Sequence, residues 1–548
     1  MQRIILLIAL ISLLLFGCSE TQKIDLIVHN AKIYTVNETF AITEAMAIDK
    51  GKIIAIGAEN EIKNKYLAKE YIDAKKQAVF PGFIDAHCHF YHYAALVQEL
   101  NLNGTTSFNE MIEKIVAYSK TNSYDWILGT GWDQNDWETK EFPTKDTLDK
   151  LFPNTPIFLT RVDGHAAIAN QKALDLAKID MNTTVNGGIV EKKNGKLTGI
   201  LLDNALEKIK AILPAKTKEQ LTKELLLAEQ KLFEVGLTTI DEAGLNRQQI
   251  ELIEELQQSN KLKLKVYAMV SSTEELLEYY LKKGPYKTDR LTVSSFKFYA
   301  DGALGSRGAC LLKPYSDITT HQHYGLMLHE MDFYEKYAPL LYEKGFQMNT
   351  HCIGDSANQQ LFTVYKNVLK GSNDKRWRIE HAQVLDSTHF ELFSKYNIIP
   401  SVQPTHATSD MYWATDRLGT ERVKNAYAYK KLLIQNGLIA LGTDFPIETI
   451  NPLLTFYAAV ERRDVKGFPE NGFQKENGLS REEALKGMTI WAAIANFEET
   501  EKGSLEVGKS ADFVMLNQDI LTVNENTILS TKVLYTFING EKVFSAKN

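Results

Sequence analysis

The chain has 548 residues, of which 44% are hydrophobic and 24% are charged, and its formal net charge is −7. This is the composition of an ordinary folded protein, long enough for one large domain and a smaller one. The acidic balance argues against a nucleic-acid-binding protein with a basic surface, and the hydrophobic content argues against a disordered chain.

The first 17 residues are typical of an export signal. Arg3 precedes an apolar stretch, Ile4 to Phe16, that is shorter than the roughly 20 residues a membrane span needs. A small residue, Gly17, stands directly before Cys18, as in bacterial lipoprotein signals. We therefore expect export, lipidation of Cys18 and anchoring in the bacterial cell envelope, on the periplasmic or outer face. An uncleaved anchor or an ordinary secretory signal is the alternative.

Strand-like segments separated by turn residues occupy both ends of the mature chain. They fill the region from Ile24 to Asp73 and return after residue 500. Because chain termini often lie close together, we predict one small β-sandwich domain built from residues 24–80 and 500–548. Residues 18–23 would be a short tether to the lipid.

The middle of the chain alternates short apolar strands with amphipathic helical stretches, which predicts a parallel sheet covered by helices. Eight candidate strands indicate an α/β fold with a (β/α)8 barrel of the TIM type over residues 81–499. The candidates are residues 83–89, 237–240, 265–269, 295–299, 346–351, 377–381, 398–402 and 438–444. The long interval after the first strand predicts an inserted subdomain at about residues 100–230.

The first barrel strand contains two histidines separated by one residue. Because side chains alternate along a strand, His87 and His89 should project from the same face, and Cys88 from the other. This pair favours a metal site, although two hydrogen-bonded core histidines are the alternative. Cys88 is expected to be a small buried hydrophobic residue, not a nucleophile.

Other barrel strands carry further candidate ligands. Lys297 lies in the fourth strand, and His351, His381 and Asp444 end the fifth, sixth and eighth. Active sites of such barrels lie at the carboxyl ends of the strands, where imidazole and carboxylate groups would suit one or two divalent ions, zinc best of all. Capping and core roles are the alternatives for each residue taken alone. The joint placement of four of the 12 histidines favours the metal centre.

Several motifs resemble a known family in their order and spacing. Residues 81–89 resemble the opening metal motif of the metal-dependent amidohydrolase superfamily. Four later motifs are similar to the amidohydrolase family 3 branch, which includes N-substituted formamide deformylase-like proteins. These motifs are residues 297–307, 349–355, 378–383 and 442–446. The resemblance extends from about Ile24 to Phe544.

The resemblance implies a division of the ligands between two ions. His87 and His89 would bind one ion together with Asp444, whereas His351 and His381 would bind the second. Family members differ in metal number, so a single ion is the alternative.

The resemblance also gives Lys297 the position of a bridge between the ions. A free ammonium group has no lone pair for a cation, so Lys297 would have to be neutral or converted by CO₂ into a carbamate. The alternative is a cation paired with Asp301 or with a substrate carboxylate.

The implied reaction is hydrolysis of a C–N bond in a small-molecule amide, formamide, carbamate or cyclic urea by metal-activated hydroxide. Asp444 would accept the proton of water and pass it to the leaving nitrogen. Deamination or lactone hydrolysis at the same site is one alternative, and a non-catalytic solute-binding lipoprotein is another.

Several residues outside the ligand set are candidates for contact with substrate. His165 in the insertion is a candidate hydrogen-bond partner, and Trp132 and Trp137 could form an aromatic wall or simply pack. Arg307 would bind a substrate carboxylate or stabilise its own loop, and residues 403–406 would line the pocket.

Overall fold

The computed structural model describes residues 21–121, 125–161, 164, 166–185 and 187–547. The predicted export signal, Cys18 and His165 lie outside the described residues. The chain divides into two compact units, one containing the residues up to Phe90 and from Glu229 onward, the other containing Tyr91–Ala228.

Eight parallel strands form the barrel of the first unit, and they follow one another around it in chain order. They are β1 (Phe83–Cys88), β2 (Leu237–Leu245), β3 (Lys265–Ser271), β4 (Leu291–Tyr299), β5 (Gln347–Cys352), β6 (Arg378–His381), β7 (Ile399–Val402) and β8 (Ala440–Leu441). A two-residue strand, Tyr286–Lys287, pairs with β4 outside this path. The predicted α/β barrel is confirmed.

The barrel is nearly closed between β8 and β1, where individual hydrogen bonds replace a regular ladder. The N–H group of Asp444 donates to the carbonyl of His87 at 2.7 Å. The N–H and hydroxyl groups of Thr443 donate to the buried Asp85 carboxylate at 3.0 and 2.7 Å. The closure therefore places Asp444, which follows β8, directly beside His87 of β1.

Helices cover the outside of the barrel because one face of each is apolar. Helix Arg247–Gln258 is typical: Asn246 and Gln249 form a reciprocal capping box, and Ile250, Ile253 and Leu256 are buried. The other helices of this part are Glu274–Lys283, Met331–Lys344, Asp355–Leu369, Phe390–Lys395, Pro404–Asp410, Ala414–Arg422, Tyr429–Asn436, Pro452–Glu461, Arg481–Gly487, Ile490–Ala495 and Glu525–Ile528. Short 3₁₀ helices occupy Val423–Asn425 and Lys475–Asn477.

Two sheets make up the β-domain of the first unit, in agreement with the predicted fold class. In spatial order, the four-stranded sheet contains Lys52–Gly57, Ala45–Asp49, Gln22–His29 and Tyr66–Asp73. The six-stranded sheet contains Glu541–Ser545, Val533–Ile538, Phe513–Leu516, Ala78–Pro81, Lys32–Tyr34 and Ile42–Thr43. Helix Glu59–Lys65 completes the domain. Pairing of Phe513–Leu516 with Ala78–Pro81 joins both ends of the chain just before β1.

The second unit has a mixed six-stranded sheet of its own. In spatial order its strands are Gly188–Lys193, Lys196–Asp203, Ala166–Ala169, Ile157–Arg161, Ile127–Trp132 and Leu100–Asn101. Its helices are Phe108–Thr121, Asp146–Leu151, Gln171–Leu176, Glu207–Lys210 and the 3₁₀ turn Gln134–Asp136. Helices Phe90–Val97 and Lys218–Glu234 span its two boundaries in the sequence.

The two tryptophans of this unit pack in its core. Trp132 and Trp137 are buried, and their indole N–H groups donate to the carbonyls of Leu159 and Thr105 at 2.9 and 3.0 Å. They are packing residues and do not form an exposed aromatic wall.

The three cysteines within the described ranges are free thiols. Cys88 is buried, and burial raises the pKa of its thiol well above the ordinary value. A thiol that stays protonated is a poor nucleophile, which fits the predicted packing role. Within the same ranges, no helix has both the length and the apolar character needed to cross a bilayer.

Candidate metal centre

Three ligand-type side chains from three different strands converge at the carboxyl end of the barrel. They belong to His87 in β1, to His381 at the end of β6 and to Asp444 after β8. One ligand atom from each lies within 4.8 Å of the others, and all three residues are buried. Zinc ligands lie about 2.0–2.2 Å from the ion, so ligand atoms that converge in this way can share one ion.

The other two predicted histidines lie beside this group. His89 Nε2 is 3.2 Å from Asp444 Oδ1, and the ring centroid of His351 is 4.5 Å from that of His381. The structure therefore brings all five predicted His and Asp ligands to one place. Its tightest group combines His87 with His381, which the resemblance assigns to separate ions.

Several buried polar atoms at this centre lack a hydrogen-bond partner among the described residues. They are Asp444 Oδ1, His351 Nε2 and His406 Nε2. An unpaired buried polar atom costs about 1–3 kcal/mol, so several of them around one point call for a common partner. Imidazole nitrogens and a carboxylate oxygen are the donors that zinc prefers. The residues present therefore fit a divalent metal ion.

Burial keeps three histidines of the centre neutral. It lowers the pKa of His87 to about 4 and that of His351 to about 3, and the charge of Lys297 acts in the same direction. Burial also lowers the pKa of His381 well below its ordinary value. Neutral imidazoles keep the lone pair that a metal requires.

Asp444 remains ionised although it is buried. Burial alone would raise the pKa of its carboxyl group, but the adjacent imidazole of His89, whose Nε2 is 3.2 Å from Oδ1, holds that pKa well below its ordinary value. The carboxylate is thus available as a ligand or as a proton acceptor.

Lys297, the predicted bridge, lies beside His87 at the centre. Its Nζ is 2.9 Å from His87 Nε2, and its side chain is buried above the ring of Tyr299. Burial lowers the pKa of Lys297 to about 8, against the opposing charges of Glu380 and Asp444. The neutral amine needed for ligation or for reaction with CO₂ is therefore accessible at mildly alkaline pH.

Asp301 does not serve as the partner of a Lys297 cation, the alternative considered above. Its carboxylate accepts the N–H groups of Cys310, Ile353 and Gly354 at 2.7 to 2.9 Å. These bonds fasten the loop after β4 to the end of β5.

Glu380 and Gln403 bond to two histidines of the centre. Gln403 belongs to the predicted pocket lining, residues 403–406, whereas Glu380 was not among the predicted site residues. Glu380 Oε2 is 2.5 Å from His87 Nδ1, and Gln403 Oε1 is 2.7 Å from His381 Nδ1. In a regular strand the side chains of the neighbours Glu380 and His381 would point to opposite faces. The positive φ angles of His381 (73°) and Ala382 (42°) turn the backbone here, so both neighbours reach the centre.

His406 is a further residue of the centre. It lies in the first turns of helix Pro404–Asp410, and its Nε2 is 3.6 Å from Asp444 Oδ2. Its ring stacks on that of His381 at a centroid distance of 5.9 Å. The sequence placed residues 403–406 near the pocket without singling out this histidine.

Arg307 stabilises its own loop. Its guanidinium group donates to both carboxylate oxygens of Asp317, at 3.2 and 2.7 Å. Of the two roles considered for Arg307, the structure shows stabilisation of its own loop and not a free guanidinium group for a substrate carboxylate.

Comparison with known proteins identifies the family. Residues 70–544 match the amidohydrolase family. The chain belongs to this family. Protein LONG AFTER FAR-RED 3 of Arabidopsis thaliana is 30% identical to this amidohydrolase over 542 residues, which cover 95% of this chain and 91% of that protein.

Two further similarities agree with this identification. N-substituted formamide deformylase of Arthrobacter pascens is 25% identical to this amidohydrolase over 540 residues, covering 95% of this chain and 98% of that one. The crystal structure of an uncharacterized metal-dependent hydrolase from Pyrococcus horikoshii OT3 has a TM-score of 0.77 and 28% identity, covering 91% of this chain and 99% of that one. The resemblance to the amidohydrolases is thus confirmed.

Proposed function

We propose that this amidohydrolase is a metal-dependent enzyme that cleaves the C–N bond of a small amide, formamide, carbamate or cyclic urea. One observation carries the proposal: ligand atoms of His87, His381 and Asp444 come from three strands to within 4.8 Å of one another. The similarity to an N-substituted formamide deformylase makes N-substituted formamides the first substrates to try.

His87, His381 and Asp444 would hold the metal, with His89, His351 and Lys297 beside them. A divalent ion bound there would supply Lewis acidity, which activates water and polarises a carbonyl group.

The protein's own contribution is proton transfer and orientation. A carboxylate oxygen of Asp444 would accept the proton of the attacking water as the C–O bond forms. The same proton would then go to the nitrogen as the C–N bond breaks, so the products are a carboxylic or carbamic acid and an amine. His89, 3.2 Å from Asp444 Oδ1, would hold the carboxylate in place during both steps.

Metal content and amine release test the proposal together. The purified protein is treated with a chelator, reloaded with Zn²⁺, and assayed on N-formyl, N-acyl and N-carbamoyl amines. We expect activity to disappear with the metal and to return with it. Ammonia release from an aminated heterocycle would indicate deamination instead, and a folded, metal-free, inactive protein would favour the solute-binding alternative.

The substitution His381→Gln tests the ligand set itself. We expect it to lower zinc affinity by more than the roughly 10–100-fold that follows the loss of a ligand's orienting partner, because it removes one of three converging donors. His329→Gln is the matched control, since His329 is exposed and stacks on Phe333. Equal metal content in both variants, measured by elemental analysis, would contradict the assignment.

We also propose that Cys18 anchors this amidohydrolase to a membrane of the bacterial cell envelope. The apolar stretch that ends at Gly17-Cys18 supports the proposal. Cys18→Ser should move the protein from the membrane fraction to the soluble fraction and abolish labelling by a fatty-acid analogue, whereas Ser19→Ala should change neither. Persistence of the Cys18→Ser protein at the membrane would rule out lipid anchoring.

A further inference from the structure

A chain of buried polar side chains extends from His87 into the interior of the barrel. Glu380 Oε2 is 2.5 Å from His87 Nδ1, and Glu380 Oε1 accepts a hydrogen bond from Arg378 Nε at 2.7 Å. Arg378 Nη1 in turn donates to Asp241 Oδ2 at 2.8 Å. All four residues are fully buried.

We propose that Glu380, held by Arg378, is a positioning residue that keeps the proton of His87 on Nδ1 and so turns the lone pair of Nε2 towards the metal. This inference rests on the proposed metal centre. It adds to that centre a group that makes no contact with metal or substrate.

Hydrogen-bond chemistry determines which nitrogen carries the proton. A carboxylate only accepts hydrogen bonds, and a guanidinium group only donates them. With Arg378 donating to Oε1, Glu380 can stay ionised in the barrel interior, and its Oε2 requires a donor at His87 Nδ1. The lone pair of the imidazole is then on Nε2, which lies 3.7 Å from Asp444 Oδ1 and 2.9 Å from Lys297 Nζ.

Arg378 also fixes the backbone around His87. Its Nη2 donates to Ser401 Oγ of β7 at 3.1 Å and to the carbonyl of Ala86, the residue before His87. One guanidinium group therefore connects β1, β2, β6 and β7. Arg378 thus positions the backbone before His87 directly and the ring of His87 through Glu380. Support of this kind holds a binding geometry to a fraction of an ångström.

The substitution Glu380→Gln should reverse the tautomer of His87. Arg378 still needs an acceptor, so the amide oxygen would face Arg378 and the amide NH₂ group would face His87 Nδ1. Nδ1 would then have to accept, and the proton would move to Nε2 once Lys297, whose Nζ lies 2.9 Å from Nε2, no longer donates to it. This variant keeps the size of the side chain and removes the lone pair from the metal side.

Two measurements test the inference, and the first needs no metal. NMR of metal-free protein labelled with ¹⁵N-histidine, with the His87 signal assigned from a His87→Gln variant, should show the Nδ1–H tautomer in the wild type and in Lys297→Met, which lacks the amine 2.9 Å from Nε2. It should show the Nε2–H tautomer when Glu380→Gln is added to Lys297→Met. An Nε2–H tautomer in the wild type or in Lys297→Met would overturn the inference, and these two spectra decide alone if the Glu380→Gln protein does not fold.

The second measurement is zinc affinity by competition with a chelator. We expect a loss of about 10–100-fold in Glu380→Gln, the range seen when an orienting partner of a metal-ligating histidine is removed. Glu498→Gln is the matched control, because Glu498 is also buried and is bonded to Thr292 and Lys502 at 2.8 Å. The zinc affinity of this variant should equal that of the wild type. Equal affinities in the two variants would refute the positioning role. A wild-type protein that binds no zinc would instead refute the proposed function. The tautomer of His87 would still test whether Glu380 holds the proton on Nδ1.

Discussion

Asp444→Asn is expected to lower kcat/KM by about 10²–10⁴-fold while leaving the protein folded. The amide has nearly the same shape as the carboxylate, but it has no negative charge for the metal and no basic oxygen for the proton of water. The same substitution should weaken zinc binding, because Asp444 Oδ1 is one of the unpartnered atoms of the centre. Steady-state kinetics at saturating zinc separate the loss of proton transfer from the loss of metal.

Asp355→Asn is the matched control for this experiment. Asp355 is also a buried aspartate in the barrel domain, but its Oδ1 accepts the N–H groups of Leu312 and Ser356, at 2.8 and 3.0 Å. An asparagine can accept the same two bonds, so near-normal turnover is expected. Full activity of Asp444→Asn would remove Asp444 from the reaction, and an equal loss in both variants would indicate a general effect on the fold.

Gly442→Ala is expected to destabilise the protein by about 1–3 kcal/mol and to reduce zinc binding at the same time. A Cβ at Gly442 would lie 2.5 Å from the backbone nitrogen of His87 and 3.0 Å from its Cβ. Neither atom can move freely, because the seam of the barrel holds Asp444 against the carbonyl of His87 at 2.7 Å. Relief of the clash must therefore separate His87 from Asp444, which are two of the proposed metal ligands.

Gly57→Ala provides the comparison for this prediction. The nearest atom to a Cβ at Gly57 is a carboxylate oxygen of Glu61 at 3.6 Å, an ordinary contact. Chemical denaturation and zinc titration of both variants measure the two effects. A Gly442→Ala protein as stable and as zinc-avid as Gly57→Ala would show that the close approach of β8 to β1 is unimportant.

The last barrel strand shows where local sequence patterns stop being sufficient. Residues 438–444 read as one strand, yet only Ala440–Leu441 pair as β8. Thr443 and Asp444 bond instead to the side chain of Asp85 and the carbonyl of His87. The apolar pattern locates the strand, but the bonds that end it come from β1 and depend on closure of the barrel.

The sequence by itself determined the eight strands, the family and the positions of the ligand-type residues. These depend on local alternation of side chains and on the spacing of motifs, which a linear pattern records. Only the tertiary structure decided that His87 meets His381 and Asp444 most closely, and that Glu380 bonds to His87 across 293 positions of the chain. The physical reason is that barrel closure and a left-handed turn at His381 and Ala382 determine these contacts, and neither has a signature in the order of residues along one strand.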